Sequence, residues 1–151
     1  MKDFAAQDEN YESRVRESFS KQNLMKTIGA SLTKVLPGEV EISLGFRDDL
    51  TQQHGFIHAG VVSTLADTAC GYAAFSLMAP DAAVLTVEYK INLLSPAVGE
   101  SLVARGKVTK SGRTLTVCAG DVFALKNGEK KMVATMIATI MSIPGREGLM
   151  G

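Results

Sequence analysis

Tryptophan is absent from the 151 residues, and aromatic residues of any kind make up only 6%. Single-stranded nucleic acid is bound by stacking bases on aromatic side chains, and this chain has few to offer. An excess of one charge sign is missing too. Lys plus Arg number 16 and Asp plus Glu number 16, so the basic stripe that DNA or RNA demands is not encoded and no nucleic-acid partner is expected. Cysteine is scarce. Cys70 and Cys118 lie far apart and fit no metal-ligand spacing. Two isolated thiols imply a reducing compartment, the cytoplasm, and inert, buried side chains. His54 and His58 are the only histidines, with no third ligand at metal spacing, so no metal site is expected. The first ten residues hold no apolar signal-peptide core. No repeat or low-complexity tract occurs, and the length suits a single domain over 1–151.

What is present is an ordinary globular content, 46% apolar and 21% charged. One run, Phe56 to Ala79, is long enough to span a bilayer and carries only His58 and Asp67 as ionisable residues. Asp67 sits mid-segment, where lipid would penalise it. Ser63, Thr64, Thr68, Gly71 and Ser76 dilute the run, and mean hydropathy is only +0.11. The run reads as a helix buried on nearly all sides within a protein that does not enter membranes.

Around this helix the period changes. Residues 1–25 hold a charged, helix-prone stretch, Glu9 to Leu24, in which Tyr11, Val15, Phe19 and Met25 form one apolar stripe. Leu32 to Phe46 alternates about Pro37-Gly38 and reads as a hairpin. After the helix, His58 to Met78, come four alternating segments: Leu85–Leu93, Leu102–Lys110, Leu115–Leu125 and Met132–Ile143. Asn127-Gly128 is a strong hairpin signal. Pro144 opens a Gly- and Met-rich flexible tail, 144–151. Six strands and one very apolar helix predict an α+β domain with an antiparallel sheet wrapped around a long central helix.

The chemistry concentrates where the loop Gln52–His58 meets that helix. The N–H groups of Ala59 and Gly60 open the helix and lack intrahelical partners, so they and the helix dipole offer a site to an anion or a developing oxyanion. His58 is placed to cap the helix or to donate to a carbonyl. Gln52 is placed to hold a water, and Gln53 is an equally good candidate by sequence. Asp67 shares a helix face with the small residues Gly60, Ser63, Thr64, Cys70, Gly71 and Ala74, opposite a bulky face of Val61, Leu65, Tyr72 and Phe75. Ala59 and Asp67 stand about 12 Å apart along the axis at 1.5 Å per residue. A general base must lie within about 3 Å of its proton, or one water away. If both groups serve one reaction, the second comes from another subunit, and a two-fold dimer gives two equivalent shared sites.

The pattern Gln-x5-His-x-Gly-x4-Leu-x-Asp, followed by a strand ending Leu94-Ser95-Pro96-Ala97, resembles the hotdog-fold acyl-CoA thioesterases of the phenylacetic-acid-degradation type, over about residues 40–142. The resemblance implies a hotdog domain assembled as a homodimer and then a homotetramer. It implies an acyl-CoA substrate and no cofactor beyond the coenzyme A within it. Carried over, Gln52 positions water or polarises the thioester, and the Ala59 N–H polarises its carbonyl. His58 and Gly60 shape the turn, Asp67 of the partner subunit is base or nucleophile, and Thr86 assists the acid. Val84 and Leu85 would line the substrate site, and the turn Lys110-Ser111-Gly112-Arg113 would contact the nucleotide end. On composition alone Thr86 is an ordinary strand position and that turn a solvated one. The central glycine of the family's His-Gly-Gly is Ala59 here, which keeps its N–H and is unstrained provided φ is negative.

Two other classes stay open at this level: a hotdog hydratase or dehydratase acting on acyl thioesters, and a non-catalytic acyl-CoA sensor. Free thiol as product separates hydrolysis from both.

Overall fold

The computed structural model describes residues 4–145. Most of the expected tail, and residues 1–3, therefore lie outside the described residues. Two helices, α1 (Tyr11–Lys21) and α2 (Asn23–Ile28), precede a hairpin, β1 (Ala30–Leu36) and β2 (Glu39–Gly45). A single 3-10 turn (Asp48–Leu50) leads to the long helix α3 (Ala59–Phe75), and β3 (Ala83–Leu93), β4 (Ser101–Lys110), β5 (Leu115–Lys126) and β6 (Glu129–Ile143) follow. The strands form one antiparallel sheet in the order β1-β2-β4-β5-β6-β3. This is the α+β architecture expected. The Pro37-Gly38 and Asn127-Gly128 turns fall where the sequence puts them. Asn127 and Gly128 both have positive φ, 51° and 77°, as a two-residue hairpin with right-handed strand twist requires.

The sheet buries one face against α3. In β2, Val40, Ile42 and Leu44 turn inwards while Glu39 and Glu41 face out. Contact between helix and sheet is unusually close at two points. A Cβ at Gly106 would stand 2.2 Å from the Ala69 carbonyl, and one at Gly120 2.7 Å from Cys70 Sγ. Both would clash, so only glycine on the strand and small residues on the helix allow this spacing.

The packing of α3 corrects three expectations. Cys70 and Ala74 do not share the open face of Asp67; both are buried against the sheet. Val62 takes the core place expected of Val61, which is only half-buried. Nor is the helix enclosed on nearly all sides. Ser63, Thr64, Asp67, Thr68 and Gly71 remain partly exposed in the single chain. The two thiols are buried and unpaired as expected. Burial pushes Cys118 up to about 12, and Cys70 is raised by the same cause.

The N-terminal stripe packs as expected, with Val15 and Met25 fully buried and Tyr11 and Phe19 against the core. However, the predicted single helix is two. Gln22 leaves the helical region with φ −74° and ψ 107°, and Gly29 ends α2 in the left-handed conformation. Arg14 ties α1 to the end of α3. Its guanidinium lies 4.4 Å over the Phe75 ring and donates to the carbonyls of Phe75 (3.2 Å) and Met78 (2.8 Å), with Asp8 at 3.1 Å. Phe75 is the last residue of α3 and Met78 lies in the turn that follows it, so the cation sits at the negative end of the helix. Arg14→Met is expected to lower stability by about 3 kcal/mol, because it takes the guanidinium from the buried Met78 carbonyl and leaves Asp8 without its ion pair. Breaking the exposed Arg16–Glu12 pair with Arg16→Ala should lower it by only about 0.4 kcal/mol. Urea midpoints at fixed protein concentration check the contrast.

Candidate active site

The loop before α3 is built by its own backbone. Gln52 N–H donates to the Phe56 carbonyl (2.8 Å), Gly55 N–H donates back to the Gln52 carbonyl (3.0 Å), and Gly55 supplies the required φ of +82°. Ile57 N–H reaches the Ala97 carbonyl at 3.0 Å, and His58 N–H reaches the Leu50 carbonyl at 2.9 Å. The start of α3 is thus fixed to two other segments.

His58 is the N-cap. Its Nδ1 accepts from the Gly60 N–H at 2.8 Å, so that nitrogen carries no proton and only Nε2 is left to face outwards. Of the two orphan N–H groups expected here, the Gly60 N–H is therefore spent on the cap. Among the described residues nothing accepts from the Ala59 N–H. Ala59 has negative φ, since Asn127 is the only non-glycine described with a positive one. Alanine sits at this position without strain.

The free N–H borders an apolar cavity of about 360 Å³, shaped by Gln52, Phe56, Val62, Leu93, Pro96 and Val133 among others. Gln52 and Gln53 now separate. Gln52 lines the cavity, while exposed Gln53 lies against His54. The Gln52 Oε1 accepts from the backbone N–H of His54 and Phe56. Its oxygen is committed to the loop, so the amide offers the cavity its NH2 as a donor rather than an acceptor.

Asp67 lies on the partly open side of α3 and accepts from the Thr86 hydroxyl at 2.7 Å. Burial pushes its carboxyl above the ordinary carboxylate range, and the Thr86 bond pulls the other way. It borders a different cavity, of about 250 Å³, with Thr64, Thr68, Val84 and Thr86. Within one chain, then, the acid and the free N–H do not share a cavity. Leu85 is exposed on β3, pointing away from this cavity. Ser111, Gly112 and Arg113 line a third cavity of about 370 Å³ at the C-terminal end of α3, beside Met78 and Ala79. Lys110 adjoins that turn without lining the cavity. Among the described residues neither Lys110 nor Arg113 has an ion-pair partner, and no cluster of acids, histidines and cysteines is placed to hold a metal. No helix among the described residues is long and apolar enough to cross a membrane.

Sequence reasoning missed the far wall of the acid's cavity, formed by Gln22, Leu24, Tyr72 and Tyr89. The sequence places Tyr72 on the bulky face of α3. Its buried hydroxyl needs a partner, a signal that points to a polar neighbour. The partners are Ser18 Oγ at 3.1 Å, from within α1, and Gln22 Nε2 at 3.0 Å, from the break between α1 and α2 that the sequence stripe hides.

A family model described as the thioesterase superfamily matches residues 54–131, more than half of the chain and including both Ala59 and Asp67. The chain belongs to that superfamily and is a thioester hydrolase with the hotdog fold. It is similar to the crystal structure of a thioesterase family protein from Silicibacter pomeroyi, 53% identical, covering 89% of this chain and 99% of that one with a TM-score of 0.88. The Escherichia coli PaaI protein from the phenylacetic acid degradation operon shares the fold at 21% identity, covering 90% and 95%, TM-score 0.81. A thioesterase from Haemophilus influenzae does so at 20% identity, covering 95% and 93%, TM-score 0.76.

Proposed function

We propose that the chain hydrolyses an acyl-CoA to a free acid and coenzyme A in sites shared between two copies of itself. The observation that carries this reading is the separation of its two reactive parts. The unpartnered Ala59 N–H and the Thr86-bonded Asp67 sit on one helix about 12 Å apart and border different cavities. An antiparallel pair of α3 helices brings Asp67 of one copy level with Ala59 of the other. Their two-fold axis then passes level with Ser63, where Gly60, Ser63 and Thr64 let two helices approach closely. Edge strand β3 supports a second copy as well. Leu85, Val87, Tyr89 and Leu93 are each about half exposed along an unpaired edge. Ile137, 63% exposed on the outer face of β6, favours further pairing into a tetramer.

In the shared site the Ala59 N–H and the positive end of α3 stabilise the oxyanion formed as a water adds to the thioester carbonyl. Asp67 takes the water's proton, the C–S bond breaks, and the proton passes to the departing thiolate. In a second route the Asp67 carboxylate itself adds to the carbonyl and expels the coenzyme A thiolate, and water then hydrolyses the anhydride, which releases the free acid, restores the carboxylate and leaves a proton for the thiolate. The Gln52 NH2 orients the carbonyl. Lys110 and Arg113, without ion-pair partners among the described residues, suit the phosphates of the nucleotide end, and neither route calls for a metal or redox cofactor. The buried free thiols fit a reducing compartment such as the cytoplasm. The test is thiol release from a panel of acyl-CoAs by the purified oligomer. Release is the expected result. An altered acyl double bond without thiol, or binding without any turnover, would replace this reading with a hydratase or a sensor.

A further inference from the structure

Gly71 follows Asp67 by one helical turn and projects on the same side of α3. Its backbone is ordinary helix with no positive φ. A Cβ there meets no atom within 4 Å. Gly106 and Gly120 are required by crowding; Gly71 is required by neither crowding nor conformation, although alanine is the better helix former. Its effect is to leave space in the cavity that holds the acid.

That space has a definite end. Beyond Gly71 stands Tyr72, its hydroxyl fixed by Gln22 Nε2 (3.0 Å) and Ser18 Oγ (3.1 Å). Gln22 is the hinge residue between α1 and α2, and Leu24, 54% exposed, closes the lip. The N-terminal segment therefore builds one wall beside the acid, and Arg14 and Asp8 lock that segment to the end of α3.

We infer that Gly71, Tyr72, Gln22 and Leu24 form the acyl-binding end of the site and set the size of the acyl group, admitting short-chain or single-ring acyl thioesters and excluding long-chain ones. This rests on the shared-site reading above. With the two-fold axis level with Ser63, Gly71 falls level with residue 55 of the second copy, before that copy's helix begins. A loop, not a helix, then faces Gly71. Within one chain this cavity holds about 250 Å³, below the roughly 300–1,000 Å³ of pockets that take drug-sized ligands.

The experiment measures kcat/KM for acetyl-, hexanoyl-, phenylacetyl- and dodecanoyl-CoA with the full-length oligomer, its Gly71→Ala, Gly71→Val and Leu24→Ala variants, and their melting temperatures and oligomeric state. The wild type should favour at least one of the three smaller substrates over dodecanoyl-CoA by tenfold or more. Gly71→Val should lower the hexanoyl-to-acetyl ratio at least tenfold, since single methylenes in a fitted pocket are discriminated by about 10- to 200-fold. Gly71→Ala should move the ratio the same way by less while melting at a higher temperature. Leu24→Ala should raise the relative rate on dodecanoyl-CoA. The inference is overturned if the wild type prefers dodecanoyl-CoA, or if Gly71→Val slows all four substrates equally. It is also overturned if that variant falls apart into monomers, which would assign the space to the second copy. If the wild type releases no thiol from any substrate, the hydrolytic reading fails instead. Calorimetric binding of the same four then tests the size limit, and equal affinities across the panel overturn it.

Discussion

Asp67→Asn is expected to slow thiol release about a thousandfold, the middle of the range that a positioned base contributes. The amide keeps an acceptor for the Thr86 hydroxyl, so the local geometry survives. It also removes a charge that the fold desolvates. Burial raises the Asp67 carboxyl above its unfolded value. The native state therefore favours the protonated form, and as pH rises through the native pKa the charged form weighs against folding. At neutral pH the variant should melt no lower than the parent. Activity runs the opposite way with pH. The proposed mechanism needs the carboxylate, so kcat/KM should rise with pH through an inflection above the usual carboxylate range and level off. Circular dichroism melts and pH–rate profiles on one preparation check both halves. A variant that keeps the parent's rate removes Asp67 from the chemistry.

Ala59→Pro should be equally informative. Ala59 is the first residue of α3, where proline is tolerated and its fixed φ suits the helix. His58 already has φ −57° and ψ 138°, the extended conformation that a residue before proline prefers. The substitution thus deletes one N–H and little else, and kcat should fall about 10²- to 10³-fold. The decisive measurement mixes the two inactive chains. Refolded or co-expressed in equal amounts, Ala59→Pro and Asp67→Asn chains should recover about a quarter of parental activity. Half of the dimers are then mixed, and each mixed dimer has one site intact and one doubly broken. If each chain carried a complete site, mixing would recover nothing.

Much of this was legible in the sequence, and the exceptions have physical causes. The strands and the two glycine turns were readable because alternation and positive φ are local properties. The pairing of Thr86 with Asp67 was legible only through family resemblance, since the residues are 19 apart and nothing local distinguishes this threonine from its neighbours. The same holds for choosing Gln52 over Gln53: the loop's own N–H groups decide which amide turns inwards. The small residues of α3 misled. They do two jobs on two faces, and periodicity does not say that Cys70 and Ala74 face the sheet while Gly71 faces open space. The glycines that explain this, Gly106 and Gly120, are far away in sequence. The wall made by Gln22 depends on a helix break with no proline or glycine to announce it.

The contact of α3 with Gly106 has a mechanical consequence. At most helix–sheet joints side chains act as a compliant layer that relaxes by changing rotamer. Here main chain rests on main chain at the helix turn that includes Asp67 and Ala69. Such a joint has no rotamers to adjust, so the height of the carboxylate above the sheet follows from covalent geometry. Substitutions elsewhere in the hydrophobic interior can change its volume and its melting temperature while the acid stays where it is. Swapping Gly106 for alanine would do the reverse, lifting the helix as a lever and moving the carboxylate with it.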